Sequence, residues 1–274
     1  MTRFLDSYSR MIRPIVAVLL AVTAIDTAHA QPEWAGYFFP HFTGESTPDG
    51  EAIYFALSDG NDPTRWQNLN GGEPILKSQL GTGGLRDPFI IRSPNNNRFY
   101  LLATDLKMFG GGSFAEAQQT GSRSLMIWES EDLVNWSAQR ELVVAPETAG
   151  NVWAPEAYWD AASQEFTVFW ASALYPSEVL PANRSIADSY QRMMIATTRD
   201  FTGISSPEIW IDEIRGPGLG MIDSTIAEEN GVYYRLTKDE SYFGMRQESS
   251  NDLRLTQGVT DGDGWTLIAE RIGF

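Results

Sequence analysis

Gly84-Leu85-Arg86-Asp87-Pro88-Phe89-Ile90-Ile91-Arg92-Ser93-Pro94 leads, through the asparagine cluster Asn95-Asn96-Asn97, into Phe99-Tyr100-Leu101-Leu102-Ala103-Thr104. An acid at the head of an apolar run, a turn, and a second aromatic and branched run read as a pair of antiparallel strands. The order returns twice: Glu156-Ala157-Tyr158 leads to Phe166-Thr167-Val168-Phe169, and Asp223-Ser224-Thr225-Ile226 leads to Tyr233-Tyr234-Arg235-Leu236. The leading carboxylates stand 69 and 67 residues apart. Each unit then runs into a Ser/Thr-x-Asp turn, at Ser130-Glu131-Asp132-Leu133, Thr198-Arg199-Asp200-Phe201 and Ser250-Asn251-Asp252-Leu253, and the Ser58-Asp59 turn ahead of Trp66 opens that series. Clusters such as Asp160-Ala161-Ala162-Ser163 and Glu229-Asn230-Gly231 cut the rest into short strands, with no long helix. Four-stranded units repeated at a fixed interval predict propeller blades. A β-sandwich also yields short strands, but not an acid returning at the same point of each unit.

Outward from this repeat, residues 34–70 supply three strands, near Tyr37–Phe42, Ile53–Leu57 and Trp66–Leu69, without an innermost one. The next leading acid is due near position 290, past Phe274. The expectation is therefore an all-β propeller over residues 31–274 in which about four blades are present, one blade and a closing strand being absent.

Ahead of it, Arg3, Arg10 and Arg13 precede the apolar run Ile15 to Ile25, which ends in Ala28-His29-Ala30. Basic flank, apolar core and a small-x-small ending predict a signal peptide over residues 1–30, cleaved before Gln31, with Met11 an equally good start. The run is too short to span a bilayer comfortably. The mature protein is expected to be secreted or periplasmic, with no membrane attachment.

Cleavage would leave 17 basic against 34 acidic residues, a formal charge of −17. Such a surface repels phosphate backbones, so nucleic acid is excluded as a partner, whereas a neutral sugar polymer meets no such objection. The chain has no cysteine, which removes thiol nucleophiles and disulfides. Beyond the expected leader the only histidine is His41, so a zinc site with two histidines cannot be built. Acid–base work must fall to carboxylates.

Gly84-Leu85-Arg86-Asp87-Pro88-Phe89, Val152-Trp153-Ala154-Pro155-Glu156-Ala157 and Met221-Ile222-Asp223-Ser224-Thr225-Ile226 resemble consecutive blade motifs of glycoside hydrolase family 43. The resemblance runs from about Tyr37 to the last residue. It implies a five-bladed propeller acting on plant polysaccharide (arabinan, arabinoxylan or xylan) as an inverting α-L-arabinofuranosidase, arabinanase or β-xylosidase. Inverting hydrolysis needs one carboxylate to deprotonate water and a carboxylic acid to protonate the leaving oxygen. The resemblance makes Asp87 the general base and Asp223 the auxiliary acid that orients and tunes its neighbours. Glu156 stands at a position that usually shapes the pocket, with direct catalysis the lesser alternative; Asp87 before Pro88, and Asp223, could also be simple turn or cap residues. Phe39, Trp153, Arg86 and His41 are candidates for sugar binding, His41 being equally readable as structural; Trp128, Trp136 and Trp170 read as packing residues. The family's proton donor is a Glu in a Glu-Gly-Pro motif that these 274 residues do not contain. Trp265-Thr266-Leu267-Ile268 resembles the strand preceding it, so the chain as given is expected to be catalytically impaired, and Glu240 reads as a poor substitute at the far end of its repeat. No cofactor is required; the resemblance allows a structural calcium ion, for which no ligand set can be named.

Three rival readings remain. A non-catalytic sugar-binding propeller would fit the missing donor but has no need of Asp87 and Asp223. A fructosidase-type propeller is suggested by Asn61-Asp62-Pro63, which however falls in a turn between Leu57 and Trp66. A sialidase is suggested by Ser130-x-Asp132-x-x-x-Trp136, but that turn is a folding device and locates no site.

Overall fold

Apolar runs with no polar alternation, such as Tyr100-Leu101-Leu102-Ala103 and Val168-Phe169-Trp170-Ala171, belong to strands covered on both faces. In the computed structural model, which describes residues 35–94, 97–256 and 264–273, this is how they are used. The chain divides into Met1–Ala35 and Gly36–Phe274, and every strand of the described residues lies in the second unit. The export signal expected over residues 1–30 and most of the Asn95-Asn96-Asn97 turn lie outside the described residues.

Four antiparallel sheets follow one another along the chain as the blades of a propeller. The first holds β1 (Phe38–His41), β2 (Tyr54–Asp59) and β3 (Asp62–Asn68) in that order. The second holds β4 (Leu85–Ser93), β5 (Arg98–Asp105), β6 (Ser124–Ser130) and β7 (Arg140–Val143), with the short helix α1 (Phe114–Thr120) between β5 and β6. The third holds β8 (Trp153–Asp160), β9 (Glu165–Ala173), β10 (Gln191–Thr198) and β11 (Glu208–Ile211). The fourth holds β12 (Met221–Glu229), β13 (Val232–Asp239), β14 (Gly244–Ser250) and β15 (Thr266–Ile272). The three strands expected before residue 70 are thus present, with β3 beginning at Asp62, so that Asp62-Pro63 sits at a strand start rather than in a turn. The strand expected at Thr266 is the outermost of its sheet.

The core lies in three layers between successive sheets. Ile53, Phe55, Leu101, Ala103 and Met126 fill the first layer. Tyr100, Leu102, Phe166, Val168, Trp170 and Phe201 fill the second, and Phe169, Ala171, Met193, Trp210 and Met221 the third. Neighbouring residues of β5 and β9 therefore point into different layers, as period-two geometry requires. Each fully buried Leu, Phe or Val contributes roughly 1.5–3 kcal/mol, so the centres of these strands are apolar on both faces. Trp128 and Trp170 are buried, and Trp136 packs on Phe55, as expected of blade residues.

The Ser/Thr-x-Asp turns carry their own hydrogen bonds. Ser130 Oγ accepts the Asp132 and Leu133 amides while Asp132 Oδ1 accepts those of Val134 and Asn135. Thr198 Oγ1 accepts the Phe201 amide, and Ser250 Oγ that of Asp252. Phe201 and Leu253, at the ends of two of these turns, are driven into the core layers.

Candidate active site

The first strands of the second, third and fourth sheets, β4, β8 and β12, lie side by side. Each begins with the same irregularity. Arg86 pairs with Thr104 and Phe89 with Leu102; Trp153 pairs with Ala171 and Glu156 with Phe169; Ile222 pairs with Lys238 and Thr225 with Leu236. In every case two residues of the first strand oppose one of the second, which is a β-bulge, a device that bends a strand and re-aims a side chain. The bulge pairs are Asp87-Pro88, Ala154-Pro155 and Asp223-Ser224. The first residue of each has a left-handed backbone, φ being 49° at Asp87, 48° at Ala154 and 55° at Asp223. Aspartate tolerates that conformation better than most residues, and alanine poorly.

This register corrects the repeat read from the sequence. The residue equivalent to Asp87 and Asp223 is Ala154, and Glu156 is instead the counterpart of Phe89 and Thr225. Aligning acid with acid sets Glu156 two positions out of step.

The three bulges face one cavity of about 220 Å³, lined by Asp87 with Pro88 and Phe89, Ala154 with Pro155 and Glu156, and Asp223 with Ser224. Pockets for drug-sized ligands occupy roughly 300–1,000 Å³, so this volume suits a single small ring. Asp87 Oδ2 accepts the Thr104 hydroxyl at 2.8 Å, and Thr104 Oγ1 accepts the Ala154 amide at 2.8 Å. Burial pushes the Asp87 carboxyl above the usual aspartate range, the Thr104 bond opposes this, and the charge of Asp223 adds to it. Burial likewise pushes Glu156 up to about 7, opposed by a bond from Thr225 and aided by Asp223. Asp223 is itself paired to Lys238, Nζ lying 2.7 Å from Oδ2, and Ser224 shares a 2.8 Å hydrogen bond with Thr237.

Glu240 is not at the far end of its unit. Antiparallel pairing returns β13 to the start of β12, with Asp239 opposite Met221, and Glu240 Oε2 accepts the Gly220 amide at 2.7 Å. Burial raises its carboxyl, with Asp223 among the charges acting on it.

The expected sugar-binding residues divide. Glu156 lines the cavity; Phe39, His41, Arg86 and Trp153 do not. The Arg86 guanidinium is held by Glu51 at 3.1 Å and Glu45 at 3.2 Å, between the rings of Phe42 and Phe114 at 5.0 Å each, which leaves it a structural clamp beside Asp87. Glu51 is buried and also accepts the Met108 and Phe109 amides. Phe39 stacks on His41 and leans on Trp66, while His41 lies against Tyr54 with a buried Nδ1 that has no hydrogen-bond partner. Trp153 packs against the third core layer and meets Phe114 edge-on at 6.4 Å.

Thr104, Lys238, Thr225 and Phe114 were not singled out in the sequence. A threonine closing an otherwise apolar strand was a usable signal for Thr104. Phe114 had none, since its role comes from α1 crossing over Arg86 and Trp153. Among the described residues no group of three or more histidines or acids is placed to hold a metal ion. No helix of the described residues is long and apolar enough to cross a membrane.

With the propeller and its bulged strands in place, comparison with known proteins gives the family. Residues 32–274 match the family described as a probable glycosyl hydrolase domain, related to glycoside hydrolase family 43, and the chain belongs to that family. An α-L-arabinofuranosidase of Bifidobacterium longum subsp. longum is 33% identical over 234 residues, covering 82% of this chain and 21% of that protein. The chain thus spans about a fifth of the length of this relative. The fold is similar to that of an exo-1,5-α-L-arabinanase from a bovine ruminal metagenomic library (TM-score 0.55, 14% identity, 86% of this chain and 75% of that one). It is similar also to an endo-1,4-β-xylanase of Bacteroides thetaiotaomicron (0.55, 15%, 86% and 69%) and an exo-β-1,3-galactanase of Phanerochaete chrysosporium (0.53, 10%, 82% and 46%).

Proposed function

We propose that the domain hydrolyses O-glycosidic bonds of plant cell-wall polysaccharide with inversion, and that an α-L-arabinofuranoside or a β-xyloside is the unit cleaved. The observation that carries this is the convergence of Asp87, Glu156 and Asp223 on one small cavity from three separate blades. Asp87 is the general base: half-buried, lining the cavity, with one oxygen held by Thr104. Asp223 supplies a fixed negative field, visible in its effect on both other acids. Glu156 binds the sugar. Because its carboxyl is protonated up to about pH 7, it can donate a hydrogen bond to a sugar hydroxyl as well as accept one. Arabinofuranosides come first among substrates because the relative at 33% identity carries that name. The acidic surface and the expected leader fit an exported enzyme.

A second reading is sugar binding without cleavage, since a small cavity walled by carboxylates also offers hydrogen-bond acceptors to sugar hydroxyls. Hydrolysis of p-nitrophenyl α-L-arabinofuranoside and β-D-xyloside by this chain and by the full gene product separates the two. The hydrolytic reading expects cleavage by the full product with inverted anomeric configuration, abolished by Asp87→Asn. Arabino-oligosaccharide binding with no cleavage in either form would establish the second reading instead.

A further inference from the structure

In each bulged blade, one residue of the second strand stands opposite the residue that enters the bulge: Thr104 opposite Arg86, Ala171 opposite Trp153, and Lys238 opposite Ile222. Where the bulge carries a carboxylate, that residue is a hydrogen-bond donor and reaches it. Thr104 Oγ1 lies 2.8 Å from Asp87 Oδ2, and Lys238 Nζ lies 2.7 Å from Asp223 Oδ2. Where the bulge residue is Ala154, the position is the fully buried Ala171, with nothing to donate. One rule thus covers three blades, and the two donors differ in kind.

Thr104 has one hydroxyl proton. Its oxygen accepts the Ala154 amide, so the proton is committed to Asp87 Oδ2, and the Ala154 amide acts on the Asp87 carboxylate as well. Lys238 brings a full positive charge. We propose that Thr104 and Lys238 are matched positioning residues, Thr104 leaving Asp87 free to exchange a proton and Lys238 partly cancelling the charge of Asp223 so that its neighbours can still ionise. This rests on the functional reading above for its purpose, though not for its test.

The charges around Asp223 are Lys238 from β13, Asp87 from β4, Glu156 from β8 and Glu240 just beyond β13, with Arg86 acting on Asp87. Asp223 raises Asp87, Glu156 and Glu240, and Lys238 lowers Glu240. Removing the cation must leave the anion's field unopposed. Direct contact with a charge moves a carboxyl by roughly one to three pH units. Lys238 bears on Glu156 through its pairing with Asp223, so the expected movement is on the order of half a pH unit, upward.

The experiment is a carboxyl ¹³C NMR titration of the 274-residue chain without substrate. Lys238→Met is expected to raise the Glu156 midpoint from near 7 by that amount and to raise Glu240 too, with Lys238→Arg restoring both. Thr104→Val is expected to raise Asp87, and Thr104→Ser to restore it. If Lys238→Met does not fold, Lys238→Gln removes the charge while keeping a donor and most of the stem, and the same upward movement is expected. An unchanged or lowered Glu156 midpoint in the charge-removing variant, or failure of Lys238→Arg to restore it, overturns the proposal. A gene product that cleaves no arabinoside or xyloside would sink the functional reading, while these midpoints would still decide the pairing.

Discussion

Replacing Glu156 by Gln should stabilise the folded chain by about 3 kcal/mol near pH 8 while changing little near pH 4. Burial raises this carboxyl from its ordinary 4.5 to about 7. A group whose folded value lies above its unfolded value favours the folded state below 4.5, and that advantage is lost as the pH rises through 7. At 1.36 kcal/mol per pH unit, the rise from 4.5 to about 7 corresponds to about 3 kcal/mol. Glutamine has no charge to desolvate and keeps an acceptor for Thr225. Asp87 and Glu240 are raised as well, but they titrate in both proteins and cancel in the difference. The assay is urea denaturation of both proteins at intervals from pH 4 to pH 8. The difference in unfolding free energy should climb between about pH 5 and pH 7.5 and then level off. A difference that stays flat across this range, or a variant less stable at pH 8, would show that Glu156 ionises in the fold without penalty, and the account of the cavity as a desolvated site would fall.

Gly220→Ala should destabilise the fold by on the order of 3 kcal/mol, seen as a lowered urea midpoint, because its added Cβ would lie 1.9 Å from the Gln191 carbonyl oxygen. Arg235→Met should cost about 3 kcal/mol, since Arg235 is buried between Trp210 and Trp265 and bonded to Glu248 at 2.8 Å. Adding Glu248→Gln should recover part of that loss, and the thermal midpoints of the two variants check it. Phe114→Ala should weaken arabino-oligosaccharide binding roughly tenfold by calorimetry with the fold intact, as the ring is 48% exposed and held in place by Arg86 and Trp153. Unaltered affinity would show that Phe114 takes no part in sugar binding.

Much of this protein could be read from local pattern alone. Runs such as Phe99 to Thr104 and the turn at Ser130 to Leu133 follow from chemistry within a few residues and sufficed for an all-β propeller, while Asp87 and Asp223 were marked by their motifs' resemblance to a family. Tertiary structure alone decided what stands opposite what. The bulge inserts one extra residue into a strand, and nothing within β8 announces whether Ala154 or Glu156 takes that place; its pairing with β9 does. For the same reason Glu240 reads as remote until β13 folds back beside β12, Arg86 reads as a sugar ligand until Glu45 and Glu51 claim it, and only register sets Lys238 on Asp223. Strand periodicity is a local property of the chain, whereas register, and with it the company each carboxylate keeps, is a property of two strands at once.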